Sequence, residues 1–290
     1  MQNNWNQRMT GYKSIAVAGG LGSFGSKIVQ ALLDQGYPQV KVLTRKNQSH
    51  PNPNVTVVAV DYADTKSLIN ALTGVDVVIS ALNDYATLGP QLALIEASKI
   101  TGVKRFVPSE YVTDTTEKNE PVWEPSRSLV NSLKESGLPY TIYQNGLFME
   151  YVMSPMFGID VSTGSITLYG SGNTKVDITS AKDVARFIAY TIGDTKSENR
   201  TYHVAGERLT MNEIVSELVE VTKITPVITR QELADLTHLE DYESEEYIHE
   251  HARFEAENGG FRQAAISNSE YPDFRFRTFH EFLHDTPLDK

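Results

Sequence analysis

The chain has 290 residues, 40% of them hydrophobic and 22% charged, a balance that can bury a substantial core and excludes a disordered or membrane-embedded protein. It contains no cysteine, which excludes disulfides, thiolate metal sites and a cysteine nucleophile. The net charge of -11 belongs to the second half: residues 1–150 carry 13 basic against 13 acidic side chains, residues 151–290 carry 13 against 24, and no basic run suits direct nucleic-acid binding.

Residues 1–11 are polar and read as a flexible N-terminal tail. They lack the apolar stretch of about 7 residues that a secretory signal needs, so a cytoplasmic protein is expected. The longest apolar runs, such as Val75 to Leu82, are strand-length and far below the roughly 20 residues of a membrane span, so no membrane partner is expected.

From residue 12 an apolar, β-branched run, a turn and an amphipathic segment alternate, which is the rhythm of βαβ units. The predicted strands are Lys13 to Ala18, Val40 to Thr44, Val55 to Val60, Val75 to Ser80, Val103 to Pro108 and Tyr140 to Tyr143. Most are apolar on both faces, as in a parallel sheet covered by helices. Predicted helices include Phe24 to Asp34 and Leu88 to Ile100, with Gly36 and Gly102 just past their ends. The expected class is α/β: a Rossmann doubly wound parallel sheet over residues 12–150, and a smaller α+β substrate lobe over 151–290 packed on the same body.

In the second half, Ser165 to Asp177 reads as a hairpin turning at Gly170-Ser171-Gly172. Thr210 and Glu213 have capping-box spacing and open a helix over Met211 to Lys223. Glu240 to Glu257 holds eight acids and one arginine and reads as a solvated helix or loop face.

Two patterns carry chemistry. Gly19-Gly20-Leu21-Gly22-Ser23-Phe24-Gly25 follows the first strand and opens a helix. Glycines there allow a tight turn, close approach of the backbone to a pyrophosphate, and tight helix packing, while the helix N-terminus offers unpaired N–H groups to the anion. The second strand then ends in Thr44-Arg45-Lys46, where an NAD enzyme presents an acid to the ribose. Two cations there would neutralise a 2'-phosphate, and Arg45 could stack on the adenine, so NADP(H) is the expected cofactor.

Two further patterns are weaker. Tyr62 and Lys66 have Tyr-x-x-x-Lys spacing, but they follow the third strand, away from the helix that carries such a pair in short-chain dehydrogenases, and the match is read as accidental. His280-Glu281-Phe282-Leu283-His284 matches the zinc motif His-Glu-x-x-His. Only six residues follow His284, and Phe279, Phe282 and Leu283 form an apolar stripe that would dock an ordinary helix, so no metal is expected.

With these residues the chain resembles the NmrA-like family of atypical short-chain dehydrogenases, and more distantly the isoflavone reductase and phenylcoumaran ether reductase group. The resemblance spans nearly the whole chain: Gly19, Gly22 and Gly25; Arg45; the run Val103-Lys104-Arg105-Phe106-Val107-Pro108-Ser109-Glu110-Tyr111; Gly137-Leu138-Pro139-Tyr140-Thr141; Asn145-Gly146-Leu147-Phe148-Met149-Glu150; Asp183-Val184-Ala185; and Val204-Ala205-Gly206-Glu207. It implies NADPH along the carboxyl edge of the sheet and a substrate cleft beside the smaller lobe. Cofactor contacts are then expected from Gly19, Gly22, Ser23, Phe24, Gly25, Thr44, Arg45, Lys46, Asp61, Ala81, Leu82, Pro108, Ser109, Glu110 and Asn145. Substrate contacts are expected from Tyr111, Phe148, Tyr151, Met153 and Phe157; these aromatics with Met156 would suit a flat apolar ligand or simply fill the interlobe core.

Reductases of this family place a lysine about eleven residues before the proline of Leu-Pro-Tyr-Thr, and here that position is Ser128. Lys134, six residues further along the same helix, points roughly 120° away. If a protein acid is needed, Tyr111 is the first choice, with packing as the equal alternative. The resulting expectation is an NADP(H)-dependent oxidoreductase of a small apolar metabolite, monomeric or homodimeric. The competing reading is a non-catalytic regulator that senses NADP(H), with Glu240 to Glu257 as its docking surface.

Overall fold

The computed structural model describes residues 11–82, 88–239, 241–242 and 244–286. The tail expected at the N-terminus therefore lies, but for Gly11, outside the described residues, as does Glu240. Where the sequence suggests one cut after residue 150, the chain divides into two units that exchange segments: 1–110, 123–143 and 185–202 form the first, and 111–122, 144–184 and 203–290 the second.

The first unit is built on β1 (Ser14–Ala18), α1 (Gly25–Asp34), β2 (Gln39–Thr44), β3 (Val55–Ala59), α2 (Thr65–Leu72), β4 (Val77–Ser80), α3 (Leu88–Thr101), β5 (Arg105–Val107), α4 (Glu124–Glu135) and β6 (Thr141–Gln144), whose last residue enters the second unit. The sheet order β3-β2-β1-β4-β5 is parallel throughout. A parallel bridge from Phe106 to Tyr140 continues it toward β6. All five residues of β1 are buried, as the doubly apolar strands require. On one face Ala16, Ala18, Val78 and Phe106 pack on Leu68 and Leu72 of α2, Leu94 and Ala97 of α3, and Leu129 and Leu133 of α4. The predicted strand at Val75 starts two residues later because the Asp76 carboxylate accepts the backbone N–H groups of Lys13, at 2.7 Å, and Ser14.

In the second unit, β7 (Leu147–Phe148) leads into α5 (Met149–Val152), followed by β8 (Ile159–Asp160), β9 (Ser165–Tyr169) and β10 (Lys175–Thr179). Helix α6 (Ala181–Thr191) starts in this unit and runs into the first, where β11 (Arg200–His203) pairs with β6 before the chain returns. Next come β12 (Glu207–Thr210), α7 (Met211–Thr222), β13 (Val227–Gln231), α8 (Glu245–Glu257) and α9 (Phe279–Asp285). The capping box of Thr210 and Glu213 opens α7 as its spacing predicts.

Two expectations are corrected here. The hairpin over Ser165 to Asp177 does not form: β9 pairs with β8 and β13, while β10 pairs with β12 and β7 in another sheet. Gly170 and Gly172 do make a turn at positive φ, but its donors go elsewhere, Ser171 N–H and Gly172 N–H to the Glu257 carboxylate and Gly170 N–H to Gln231 O. Nor is the acidic stretch simply a solvated face. In α8 Tyr247, His251, Ala252, Glu255 and Ala256 are buried, and Glu255 pairs with Lys118.

Candidate functional site

The glycine turn after β1 shows why each glycine is needed. Gly19 has φ +74, and a Cβ there would stand 2.6 Å from Ala81 O, at the end of β4. A Cβ on Gly25 would overlap Gly19 O, and one on Gly20 would press on Val42. Gly22 N–H bonds back to Gly19 O at 2.9 Å and closes the loop. Ser23 is exposed, and Phe24 caps α1 with no side-chain hydrogen bond. The first turn of α1 has no acid to oppose an anion at its N-terminus. This cradle fits a pyrophosphate.

Beside it, β2 ends at Thr44, and Arg45 and Lys46 are exposed. Thr44 Oγ1 accepts from Lys46 N–H at 3.4 Å. Asp61, in the turn after β3, accepts from Ala63 N–H at 2.9 Å with its carboxylate and donates its own N–H to Ser67 Oγ at 3.0 Å, so it braces the turn. Tyr62 follows it, and here the structure adds what the sequence reading missed. Its hydroxyl lies 3.4 Å from Leu43 O, and Leu43 O also accepts Gly19 N–H at 3.1 Å. Burial pushes the phenol up to about 12, against the lowering pulls of the Arg45 charge and of a hydrogen bond with the Gly19 backbone. Tyr62 therefore joins the ends of β1 and β2 next to Arg45. The Tyr-x-x-x-Lys spacing has no bearing on this.

At the ends of β4 and β5, Ala81 N–H bonds to Ala18 O at 2.9 Å, and Ser109 Oγ donates to Leu82 O at 2.7 Å. Ser109 N–H is taken by Gln91 Oε1 at 2.9 Å, a buried side chain of α3 that no motif flagged. Glu110 is buried and accepts a hydrogen bond from Ser126 of α4. Ser128 donates to Glu124 at 2.9 Å. The first unit thus brings together Gly19 to Gly25, Thr44 to Lys46, Asp61, Ala81, Leu82 and Pro108 to Glu110.

The other candidates lie in the second unit. Tyr111 is buried. Asn145 is fully buried; its Nδ2 donates to Gly146 O, and its Oδ1 has no hydrogen-bond partner among the described residues. A buried acceptor without a partner costs free energy, and a ligand N–H would relieve that cost. Phe148 meets Tyr151 edge to face at 5.8 Å. Tyr151 is 58% exposed and Met153 half-buried, whereas Phe157 is 3% exposed and belongs to the unit's core.

In α9, Phe279, Phe282 and Leu283 are buried, His280 and His284 share a hydrogen bond of 3.2 Å, and Glu281 completes a capping box with Thr278 and pairs with Arg275. Among the described residues no group of three or more His, Cys, Asp or Glu side chains could hold a metal ion, and no helix is long and apolar enough to cross a membrane.

The model of the NmrA-like family matches residues 11–283. Pinoresinol reductase 2 of Arabidopsis thaliana is 28% identical, covering 93% of this chain and 95% of its own. The oxidoreductase BOA1 of Botryotinia fuckeliana is 33% identical, covering 72% of this chain and 75% of its own. Among solved structures, AtPrR2 with NADP+ and (+)-pinoresinol superimposes with a TM-score of 0.79 at 25% identity, covering 94% of this chain and 98% of that one.

Proposed function

Because the chain belongs to the NmrA-like family, we propose that it is an NADP(H)-dependent oxidoreductase of small, hydrophobic secondary metabolites, exchanging hydride at a carbonyl, imine or conjugated centre. The observation that carries this reading is the cradle in which a Cβ on Gly25 has no room, with the exposed cations Arg45 and Lys46 at the end of the neighbouring strand.

Bound NADPH supplies the hydride. The chain's own residues do the rest: the turn Gly19 to Gly25 with Ser23 and Phe24 receives the pyrophosphate, and Arg45 and Lys46 with Thr44 receive the 2'-phosphate. Asp61 and Tyr62 shape the adenosine end, and Ala81, Leu82, Pro108, Ser109 and the Glu110 backbone guide the cofactor along the strand ends. The orphaned Asn145 Oδ1 takes a ligand N–H. Tyr111, Phe148, Tyr151 and Met153 contact the substrate, with Tyr111 as acid, and Phe157 backs them from the core. The neighbours that act on pinoresinol favour a phenolic, polycyclic substrate. A hydride step coupled to cyclisation is consistent with the same residues.

Calorimetry with NADPH and NADH tests the cofactor half. NADPH binds more tightly, and Arg45→Glu weakens it roughly 100-fold, the loss of charge-assisted hydrogen bonds, while leaving NADH nearly unchanged. Equal affinity for the two nucleotides overturns the assignment. Loss of near-ultraviolet NADPH absorbance with (+)-pinoresinol, enones or imines tests turnover. The second reading, a non-catalytic NADP(H) sensor, draws on Ser128 at the position of the family lysine, and binding without turnover across that panel selects it.

A further inference from the structure

The sheet of β8, β9 and β13 ends at an open edge: among the described residues β13 pairs with β9 alone. Every residue of β13 is exposed, with Val227 at 70% and Ile228 at 49%. Two hydrogen bonds fix its backbone directions. Val227 N–H bonds to Gly164 O and Gly170 N–H to Gln231 O, both at 2.9 Å, so residues 227, 229 and 231 turn their backbone groups toward β9. The N–H and C=O of Ile228 and Arg230 therefore point the other way, and none of these groups is bonded among the described residues.

Proteins commonly guard such an edge with a charge, and here the guard is withdrawn. Arg230, the single charge on β13, is tied back to its own chain, Nη1 to Ser171 O at 3.1 Å and Nη2 to Asn212 Oδ1 at 3.0 Å. The side chains show what the edge fits. Ile159, Ile166 and Ile228 stand opposite one another across the three strands; the first two are buried and the third is half open. One more apolar residue beyond Ile228 would complete the row, and an antiparallel copy of β13 with its two-fold axis at Ile228 supplies Ile228 itself. The flanks agree with that direction. Lys223 before the strand and Glu232 after it are exposed and have no ion pair among the described residues. Antiparallel pairing brings each toward the opposite charge of the other copy, whereas parallel pairing would set like charges together.

We infer that β13 is the interface of a homodimer, in which two copies of this chain join edge to edge and their three-stranded sheets become one continuous sheet. The two Ile228 residues exchange N–H···O bonds across the axis, and each Arg230 N–H meets the Pro226 carbonyl of the other copy, about four backbone bonds in all. Pro226 has no N–H to leave unpaired there. Isoleucines of both copies then form one uninterrupted row over the joined sheet. The interface belongs wholly to the second unit and does not depend on the cofactor or the substrate.

Sedimentation velocity tests it on the full chain at about 100 μM, enough to fill an interface of micromolar Kd, where a dimer that dissociates on dilution is expected. Ile228→Pro removes an outward N–H that β9 does not use, a change an edge strand tolerates, and should leave a monomer at that concentration. Ile228→Lys keeps the N–H but sets two like charges at the axis, and should weaken the dimer at least about 10-fold. Circular dichroism and a cooperative thermal transition like those of the wild type show that both variants fold. Hydrogen exchange gives a reading without any substitution: the Ile228 and Arg230 amides should exchange at least about 10-fold faster in the diluted monomer than in the dimer. A wild type that stays monomeric at about 100 μM overturns the interface. So does a dimer that Ile228→Pro leaves intact, or one whose Ile228 and Arg230 amides exchange equally fast before and after dilution.

Discussion

The two units solve the problem of a stable interior differently. In the first, β1 and β4 are buried along their whole length and apolar but for Ser14 and Ser80, and helices α2, α3 and α4 cover one face with leucine and alanine. At its strand ends backbone groups hold Gly19, Ala81 and the Ser109 hydroxyl, and within β5 it also buries Arg105, bonded to Thr141 and Glu198. In the second, charged side chains are carried inside and paired. Asp177, fully buried, receives both Nε and Nη2 of Arg208 at 2.6 and 2.9 Å and the Gln263 N–H at 2.7 Å. Asp183, also fully buried, receives the backbone N–H and Nε of Arg277. The first unit is ordered mainly by apolar strands, with Arg105 and Glu198 as a long-range pair, and the second leans further on such pairs. A rigid, dry sheet suits a cofactor common to many relatives, while paired charges tie together a unit made of short strands and loops.

The largest effect expected from breaking this comparison lies in the first unit. Gly25→Ala places a methyl group against Gly19 O, which is backbone and must move for it. Overpacking of this kind costs about 1–3 kcal/mol, and here it falls on the pyrophosphate turn itself. NADPH affinity should drop at least about 100-fold by calorimetry, while the unliganded protein stays folded with a stability loss no larger than that overpacking cost. If affinity survives, the turn does not carry the cofactor.

In the second unit the equivalent break is Asp177→Ala. It strands Arg208, whose side chain is one-third exposed, and leaves Gln263 N–H without its acceptor. Removing one partner of a buried pair costs about 3–5 kcal/mol, and the partial exposure of Arg208 places this case near the lower end. Urea unfolding measures it. A cost below about 1 kcal/mol would mean that the second unit rests on apolar packing as the first does.

These contrasts also decide how much the sequence showed. The first unit was legible because its strands are apolar on both faces and its helices end in Gly36 and Gly102, so period and punctuation agree with the fold. The tight glycine turn was legible because its geometry depends on positions adjacent in the chain. Tyr62 was not, since its hydroxyl acts where the end of β2 meets the glycine turn, and the same holds for Gln91 and Ser126, whose partners lie 18 and 16 residues away. The hairpin at Gly170 to Gly172 was misread because turn chemistry is local, while the groups that claim its donors, Glu257 and Gln231, come from far along the chain. Asp177 and Arg208 carry no periodic signal at all.

The smallest effect sharpens the comparison by pH. The buried phenols of the first unit, Tyr37 and Tyr62, are pushed up by burial and stay neutral through the physiological range. The second unit instead buries His251 on α8, stacked on Tyr247 at 5.6 Å, with Glu255, Lys118 and Glu120 around it. Burial lowers its pKa, aided by the Lys118 charge and opposed by Glu255 and Glu120. The folded chain therefore holds this proton less tightly than the unfolded chain. As pH falls below about 6.5, the unfolded state takes up a proton first and stability declines; the decline ends once pH has passed the folded value. One proton limits the slope to about 1.4 kcal/mol per pH unit. Urea midpoints across that window should slope in the wild type and flatten in His251→Gln, which cannot charge. Curves that stay parallel would assign the acid sensitivity to other groups and leave His251 as a packing residue of the second unit.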